Sequence, residues 1–231
     1  MTNEECALEA VKFVKANQRE LIERSVGSVK PTAKPVSIFM AGSPGAGKTE
    51  FSIRLIEELL GARDKIVRID PDEIRAWLPQ YIPGKAELFQ EAISTGVNKI
   101  HDYVKSKSIS FLLDGTFSDL EQAQKNVQQS LDKKRMVRIQ YVVQPPAVAW
   151  RFTQEREKVD GRNIRREDFI RHFLAARDTV AHIKKRFGKK VQVDIIERDV
   201  EKNTYTTQLN VDNLDKYLPK KYSEIELNNL I

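Results

Sequence analysis

The sequence has little that would tie it to a membrane or to an oxidising compartment. Cys6 is the single cysteine, so no disulfide can form within the chain, which favours a reducing compartment. No apolar run approaches the roughly 18 residues that a membrane-spanning helix needs. The N-terminus carries Glu4, Glu5 and Glu9 and lacks the basic start and apolar stretch of a signal peptide. We therefore expect a cytoplasmic protein that does not bind membranes.

Internal repeats and low-complexity tracts are also absent, and the composition is that of a globular protein. The chain has 231 residues, of which 40% are hydrophobic and 31% charged. That length allows one domain with a sizeable core and short extensions. We expect a helical extension over 1–30, a main domain over 31–200 and a tail over 201–231 that packs on the domain.

The positive charge is concentrated in one stretch of the chain. From Arg151 to Lys190 there are 13 Lys and Arg against 6 Asp and Glu, a local net charge of +7, whereas the whole chain carries +6. Such a block indicates an anionic partner: phosphate groups, nucleic acid or an acidic protein. The alternative is a solvated helix face without a partner.

Apolar patterns typical of strands and helices alternate from residue 36 to 197. Strands are predicted at 36–41, 65–69, 109–113, 136–143 and 191–197, with a further short one at 204–207. The clearest amphipathic helix spans 85–106, and other helices are predicted at 5–24 and in the tail. The alternation predicts an α/β fold with a mainly parallel central sheet covered by helices on both faces. Ligands of such sheets bind beyond the carboxyl ends of the strands.

A phosphate-binding pattern follows the first strand. The pattern G-x-x-x-x-G-K-[ST] is matched by Gly42, Ser43, Pro44, Gly45, Ala46, Gly47, Lys48 and Thr49. Its glycines let backbone N–H groups turn toward phosphate, and the helix that begins near Lys48 directs its positive end at the same anion. The Lys48 ammonium would reach the β- and γ-phosphates, and the Thr49 hydroxyl would ligate Mg²⁺. The flanking strand and helix favour a nucleotide site over a glycine-rich turn without a ligand.

The nucleotide is expected to be ATP. A GTPase would usually carry Asn-Lys-x-Asp, whereas Asn98-Lys99-Ile100-His101 lacks the aspartate. The Leu-Ser-Gly-Gly-Gln signature of transporter ATPases is absent as well. A P-loop kinase that uses ATP and Mg²⁺ is therefore the favoured hypothesis for the main domain.

Carboxylates follow the second and third strands. Asp70 and Asp72 leave the second strand two residues apart, and Asp72 fits a base that accepts the proton of an acceptor hydroxyl. The alternative is that one of the two only caps the short helix that follows. Asp114 ends the third strand, where P-loop proteins usually hold Mg²⁺ or its water shell, and Thr116 offers a hydroxyl to a substrate. A plain turn is the alternative there.

Arginines flank a glycine-containing loop in the basic block. They are Arg151, Arg156, Arg162, Arg165 and Arg166. Phosphoryl transfer spreads negative charge over three oxygens, which arginine side chains from a mobile lid can stabilise. We expect two of these arginines to contact phosphate and the others to be solvated.

In their order and spacing, these elements resemble the zeta toxin family of bacterial toxin–antitoxin kinases. The resemblance runs from about residue 36 to 185. It rests on four elements: Gly42–Thr49, Ile69-Asp70-Pro71-Asp72 with a following arginine, Leu113-Asp114-Gly115-Thr116, and Arg156 with Arg162 ahead of Glu167. Members of that family use ATP and Mg²⁺ to phosphorylate the 3′-hydroxyl of the amino sugar in UDP-N-acetylglucosamine. The resemblance also implies a small helical antitoxin that would occlude the ATP site.

The resemblance implies a role for each motif residue on the donor side. Lys48 and the surrounding loop would bind the donor phosphates, and Thr49 with Asp114 would bear on the metal. Arg156 and Arg162 would clamp the transferring phosphate. The loop between them is shorter than in the family, so Arg165 is an alternative to Arg162.

On the acceptor side, the resemblance implies that Asp72 is the catalytic base. The residues assigned to the acceptor are Asp72, Asn98, Thr116 and Arg75. Asn98 is the weakest match, because the family's ligands in that helix do not map onto this chain. The family also often has Glu where Asp114 stands.

Two other hypotheses stay open. The first is a kinase of a different acceptor: a dinucleotide, an antibiotic or a nucleic-acid end, the last of which the basic block favours. The second is a nucleotide-dependent binding module, which would need neither the aspartate pair nor the arginines.

Overall fold

The computed structural model describes residues 2–59, 65–161, 163–199 and 204–231. The strands in these ranges are β1 Val36–Ala41, β2 Val67–Ile69, β3 Phe111–Leu113, β4 Met136–Val143, β5 Val191–Asp199 and β6 Thr204–Gln208. The helices are α1 Asn3–Ala16, α2 Gln18–Val26, α3 Lys48–Arg54, α4 Pro71–Trp77, α5 Gln90–Ser106, α6 Leu120–Asp132, α7 Pro146–Asp160, α8 Arg166–Phe187, α9 Leu214–Tyr217 and α10 Glu224–Leu230. A π-helical turn, Leu55–Leu59, continues α3.

The described strands form one sheet in the order β2-β3-β1-β4-β5-β6. The first five are parallel, and β6 pairs antiparallel with β5 at the edge. The predicted mainly parallel sheet is therefore confirmed. The chain leaves β1 toward β2 and β3 on one side and later adds β4 and β5 on the other. The carboxyl end of β1 thus lies where the strand order reverses, which is the ligand position of open α/β sheets.

Helices cover both faces of the sheet, as predicted. On one face, α1, α2, α5, α6 and α8 share an apolar core in which Phe39 and Phe111 are almost completely buried. On the other face, Phe51 and Leu55 from α3 and its π-helical turn pack on Met40 of β1. None of the helices in the described ranges is long and apolar enough to cross a membrane.

The N-terminal segment forms two helices where one was predicted. Asn17 separates α1 from α2, and its side-chain amide donates to the carbonyl oxygen of Phe13 at 2.9 Å. Ala10, Val14 and Leu21 are buried in the same core that α5 lines. Residues assigned to an extension over 1–30 thus share the core of the sheet. The boundary at 30 stays a prediction, and the boundary at 200 lies outside the described residues.

The tail is held on α7 and α8. Leu227 of α10 is buried against Ala149 and Phe169. The Arg166 guanidinium donates to the backbone carbonyl oxygen of Ile231 at 2.6 Å, and Arg177 donates to that of Lys220 at 2.7 Å. Part of the basic block therefore anchors the end of the chain.

Candidate active site

The phosphate-binding loop joins β1 to α3 and is held in a conformation that requires glycine. Gly47 is the N-cap of α3 with a φ of 87°, and Gly45 has a φ of 69°. A side chain at Gly45 would also overlap the carbonyl oxygen of Ala149 on α7. The Lys48 ammonium donates to the carbonyl oxygens of Gly42 at 3.1 Å and Ser43 at 2.7 Å. The loop is thus a preformed anion nest with its lysine folded over it.

One face of α7 lies along this loop. Ahead of the helix, the amide of Gln144 donates to the carbonyl oxygen of Gly45. Ala149 and Thr153 are the residues that a side chain at Gly45 would meet. Arg156 follows Thr153 by three residues and therefore continues the same face of the helix. α7 thus carries Arg156 on the side that contacts the phosphate-binding loop.

Asp72 meets two arginines. Its Oδ2 forms an ion pair with Arg156 of α7, and its Oδ1 forms one with Arg75, one turn further along α4. Arg75 is buried, with its guanidinium carbon 5.9 Å from the centre of the Tyr81 ring. Three residues that the sequence assigned to one site are therefore in contact.

The helix cap is provided by Asp70 and not by Asp72. The Asp70 carboxylate accepts from the backbone N–H of Asp72 at 2.8 Å and from Arg68 at 2.6 Å. Burial raises the pKa of the Asp70 carboxyl above its ordinary value, because it outweighs the opposing effect of Arg68. Asp70 therefore caps α4, and the side chain of Asp72 pairs with the arginines.

Asp114 is buried at the end of β3 and bonded to residues of two other elements. Its Oδ2 accepts from Arg68 of β2 at 2.7 Å and from the Ser52 hydroxyl of α3 at 3.1 Å. Ser52 also bonds the carbonyl oxygen of Thr49 at 2.9 Å. The carboxylate therefore lies about one helical turn from the residue expected to ligate Mg²⁺.

The side chains of Thr49 and Asp114 fit a magnesium ion that is held mainly by phosphates and water. In the described part of the chain, no three His, Cys, Asp or Glu side chains gather into a metal-binding group. Mg²⁺ keeps several waters and is usually bound through one or two protein ligands plus substrate phosphates. The Thr49 hydroxyl with Asp114 nearby is such a set.

A chain of hydrogen bonds links Thr116 to α8. The Oγ1 of Thr116 lies 2.7 Å from the Ser118 hydroxyl, which lies 2.7 Å from Nδ1 of His172. The backbone carbonyl of Thr116 accepts from the N–H of Gly42 at 3.1 Å, which ties this loop to the phosphate-binding loop. Sequence reasoning missed Ser118 and His172, since neither belongs to a motif, and 54 residues separate them.

The other predicted residues within the described ranges are not brought to this site. Asn98 is exposed on α5, and no hydrogen bond of its side chain is found among the described residues. Arg162 lies outside the described residues. Arg151 and Arg165 pair with the nearby carboxylates of Glu155 at 3.8 Å and Asp168 at 2.8 Å. The roles assigned to these residues stay predictions.

Comparison with known families agrees with the geometry. The chain matches the Zeta toxin family over residues 19–210, which is most of its length. This chain belongs to the zeta toxin family. No curated protein matches this zeta toxin family member in sequence.

Solved structures share its fold. A chain from the PezAT chromosomal toxin–antitoxin system of Streptococcus pneumoniae superposes with a TM-score of 0.69 at 17% identity, covering 94% of this chain and 91% of that one. A chain of the AvrRxo1-ORF1:-ORF2 complex with ATP gives 0.65 at 13% identity, covering 91% and 71%. A chain of the Pnkp1/Rnl/Hen1 RNA repair complex gives 0.52 at 16%, covering 79% and 50%. At these identities the likeness shows the fold, which is of the P-loop kinase type.

Proposed function

We propose that this zeta toxin family member is an ATP-dependent kinase that phosphorylates the 3′-hydroxyl of the amino sugar of UDP-N-acetylglucosamine and acts as a cytoplasmic toxin. The observation that carries the proposal is the ion pair of Asp72 with Arg156, on the face of α7 that contacts the phosphate-binding loop. A kinase needs a base for the acceptor hydroxyl next to a cation for the transferring phosphate. This pair supplies both.

On the donor side, the loop N–H groups and Lys48 would bind the phosphates of ATP. The similar AvrRxo1-ORF1:-ORF2 complex was solved with ATP, which supports this choice of nucleotide. Lys48 would exchange the carbonyl oxygens of Gly42 and Ser43 for phosphate oxygens. Thr49, with Asp114 through a water shell, would hold Mg²⁺, which when bound neutralises charge on the phosphates.

On the acceptor side, Asp72 would take the proton of the attacking hydroxyl. The Arg156 side chain is 43% exposed and its partner Asp72 is 25% exposed, so the pair is open to ligands. We expect Arg156 to turn from Asp72 to the phosphate when ATP binds, which would free Oδ2 for the hydroxyl. Arg75, whose side chain is 11% exposed, would keep Oδ1 in place, and Thr116 would contact the acceptor.

An antitoxin partner is part of the proposal. PezAT is a toxin–antitoxin system, and AvrRxo1-ORF1 was solved together with AvrRxo1-ORF2. By analogy we propose that a small helical protein covers the ATP site of this chain. A nucleic-acid acceptor is less well supported, because Arg151, Arg165 and Arg166 already bond to groups of the chain itself.

Transfer can be measured with purified protein, ATP, Mg²⁺ and UDP-N-acetylglucosamine. The sugar nucleotide should gain the mass of one phosphoryl group while ADP is released. Asp72→Asn should abolish both signals, whereas Asp102→Asn, at an exposed carboxylate of α5 that pairs with Lys105, should retain them. If only another compound of a metabolite extract gained phosphate, the acceptor would be wrong. If no compound gained phosphate, the kinase proposal would fail.

A further inference from the structure

The hydrogen bonds that join Thr116 through Ser118 to His172 are not used in the steps above. It starts in the loop after β3, beside the P-loop, and ends on α8, with 2.7 Å at each link. All three side chains are half-buried, so they are neither core residues nor freely solvated ones. A continuous chain of short hydrogen bonds in this position holds the Thr116 hydroxyl oxygen in one place.

The backbone between the two hydroxyls is also held in an unusual conformation. Phe117 has a φ of 56°, in the left-handed region that aromatic residues rarely adopt. Its ring packs on buried Phe39, with the ring centres 5.8 Å apart. Residues kept in such conformations cluster at functional sites, where the surrounding packing maintains them. The packing of Phe117 thus fixes Thr116 and Ser118 relative to each other.

Because each hydroxyl has a single proton to donate, the chain has only two arrangements. If Nδ1 of His172 accepts, Ser118 donates to it and Thr116 donates to Ser118, which leaves lone pairs of Thr116 for a ligand. If Nδ1 carries a hydrogen, both hydroxyls reverse and Thr116 donates outward. Whether Nδ1 of His172 carries a hydrogen therefore decides whether Thr116 can only accept a hydrogen bond from a ligand or can also donate one.

We propose that His172 is a positioning residue that accepts from Ser118 and so makes Thr116 a hydrogen-bond acceptor for a hydroxyl or amide N–H of the acceptor substrate. The donor group on the substrate is distinct from the attacking hydroxyl, whose proton goes to Asp72. The inference rests on the proposed function, because it takes Thr116 to face the acceptor.

The surroundings of His172 favour the neutral ring that this arrangement requires. Burial lowers the pKa of His172 below its ordinary value, and the positive charge of Arg171 on the same helix lowers it further. Asp168, one turn earlier on α8, opposes this effect, and Lys48 of α3 adds to it. A neutral imidazole has one ring nitrogen that can accept, and the proposal takes it to be Nδ1, the nitrogen that lies 2.7 Å from the Ser118 hydroxyl.

The direction of the chain can be tested by NMR without any acceptor. The sequence has three histidines, His101, His172 and His182, so their ring signals can be assigned by substitution. At a pH at which the ring is neutral, its nitrogen chemical shifts show which nitrogen carries the hydrogen; if His172 accepts from Ser118, the hydrogen is on Nε2 and Nδ1 has none. Ser118→Ala removes the donor and should move the chemical shift of Nδ1, whereas Ser118→Thr keeps the hydroxyl and should leave it unchanged. A neutral ring that carries its hydrogen on Nδ1 overturns the proposal.

Two further variants serve as a control and as a substitute in this measurement. Ser106→Ala, at an exposed serine whose hydroxyl donates to the carbonyl oxygen of Tyr103 in its own helix, is the matched control and should not alter the Nδ1 shift of His172. Should Ser118→Ala not fold, Ser118→Cys replaces the hydroxyl by a weak thiol donor and should move the Nδ1 shift in the same direction.

Steady-state kinetics test the consequence for the substrate. Ser118→Ala leaves the Thr116 proton free to point either way, so KM for the acceptor should rise roughly fivefold to tenfold, the effect of one hydrogen bond. Since the chemistry is untouched, kcat should stay within about twofold of the wild-type value. His172→Leu should raise KM in the same way as Ser118→Ala. His172→Asn, whose amide oxygen can accept near the Nδ1 position, should have a KM close to that of the wild type.

The outcomes separate this inference from the proposed function. An unchanged KM in Ser118→Ala, or a loss confined to kcat, contradicts a positioning role for His172. If UDP-N-acetylglucosamine is not the acceptor, the same comparison applies to whichever compound is phosphorylated. If no compound is phosphorylated, the NMR measurement alone decides whether His172 accepts from Ser118.

Discussion

Asp72 and Arg156 are 84 residues apart in the sequence, and their side chains form an ion pair in the structure. The pair joins the helix that follows β2 to the helix that follows β4, next to the loop that follows β1. Exposed ion pairs contribute little to stability, typically about 0 to 1 kcal/mol. The pair therefore adds little to the stability of the fold, and only the proposed function gives it a role.

The first prediction concerns Arg156 itself. Arg156→Ala should lower kcat by roughly a hundredfold to a thousandfold, because a cation that stabilises transition-state charge is lost. The free energy of unfolding, measured in urea, should change by less than about 1 kcal/mol. Arg151→Ala on the same helix, at an exposed arginine that pairs with exposed Glu155, should leave both quantities unchanged. Wild-type turnover in Arg156→Ala would remove this residue from the mechanism.

The second prediction concerns the close contact between the P-loop and α7. Gly45→Ala places a methyl group on the carbonyl oxygen of Ala149, at a backbone φ of 69° that alanine rarely adopts. The loop must shift to avoid this overlap, which would break hydrogen bonds from its N–H groups to the phosphates. We therefore expect the ATP affinity, measured by calorimetry, to fall at least tenfold. Gly115→Ala is the control for stability, because a side chain there meets open space. Unchanged ATP affinity in Gly45→Ala would show that the loop is not the nucleotide site.

The sheet and the P-loop could be predicted because their signals are local. A phosphate-binding loop consists of eight consecutive residues, and β4 was predicted at its observed bounds because Met136–Val143 is rich in β-branched and aromatic residues and is followed by Pro145-Pro146. Parallel pairing then followed from the alternation of strands and helices. Such features need no knowledge of which distant residues meet.

Contacts between distant elements could not be predicted in the same way. Whether Asp70 or Asp72 caps α4 was undecided, because both suit a cap. In the structure Asp70 is the cap, and Asp72 pairs with Arg156, which comes from another helix. The Ser118–His172 contact likewise depends on how α8 packs, and nothing in the local sequence encodes that packing.

The third prediction concerns Arg68, which is the hub of a buried ionic network. Its guanidinium bonds Asp70 at 2.6 Å, Asp114 at 2.7 Å and Glu73 at 3.0 Å, and its side chain is only 15% exposed. Arg68→Leu would leave buried carboxylates without a counter-charge. We expect the free energy of unfolding to fall by about 3–5 kcal/mol at neutral pH. Arg19→Leu, which breaks an exposed pair with Glu23, should cost less than about 1 kcal/mol.

The deficit of Arg68→Leu should shrink in acid. Burial already raises the pKa of Asp70, and loss of the Arg68 charge would raise it further. As the pH falls, protonation of Asp70 would remove its buried charge, so the difference in unfolding free energy between variant and wild type should decrease. Urea denaturation at several pH values measures this. A deficit that is constant from pH 7 to the acid range would show that the loss comes from packing and not from charge.

The last prediction concerns His101, a buried histidine of α5 that lies outside the site. It is 3% exposed, its ring centre is 4.7 Å from that of Phe111, and its Nε2 has no hydrogen-bond partner among the described residues. Burial lowers the pKa of His101 from 6.5 to about 3, and the charge of Lys105 adds to this. Between those two pH values, the unfolded chain binds a proton that the folded chain does not. The free energy of unfolding should therefore fall with decreasing pH, by about 1.4 kcal/mol per unit from this residue alone.

Comparison with His101→Phe isolates this contribution from the carboxylates that titrate in the same range. Phenylalanine keeps the ring between Phe39 and Phe111 but cannot bind a proton, so the variant should match the wild type above pH 6.5 and exceed it increasingly below. His182→Phe, at an exposed histidine of α8, should follow the wild type throughout. If the unfolding curves of wild type and His101→Phe stayed parallel down to acid pH, His101 would have to be protonated in the folded protein. Its surroundings would then have to supply a partner for the charge, which burial among aromatic rings does not provide.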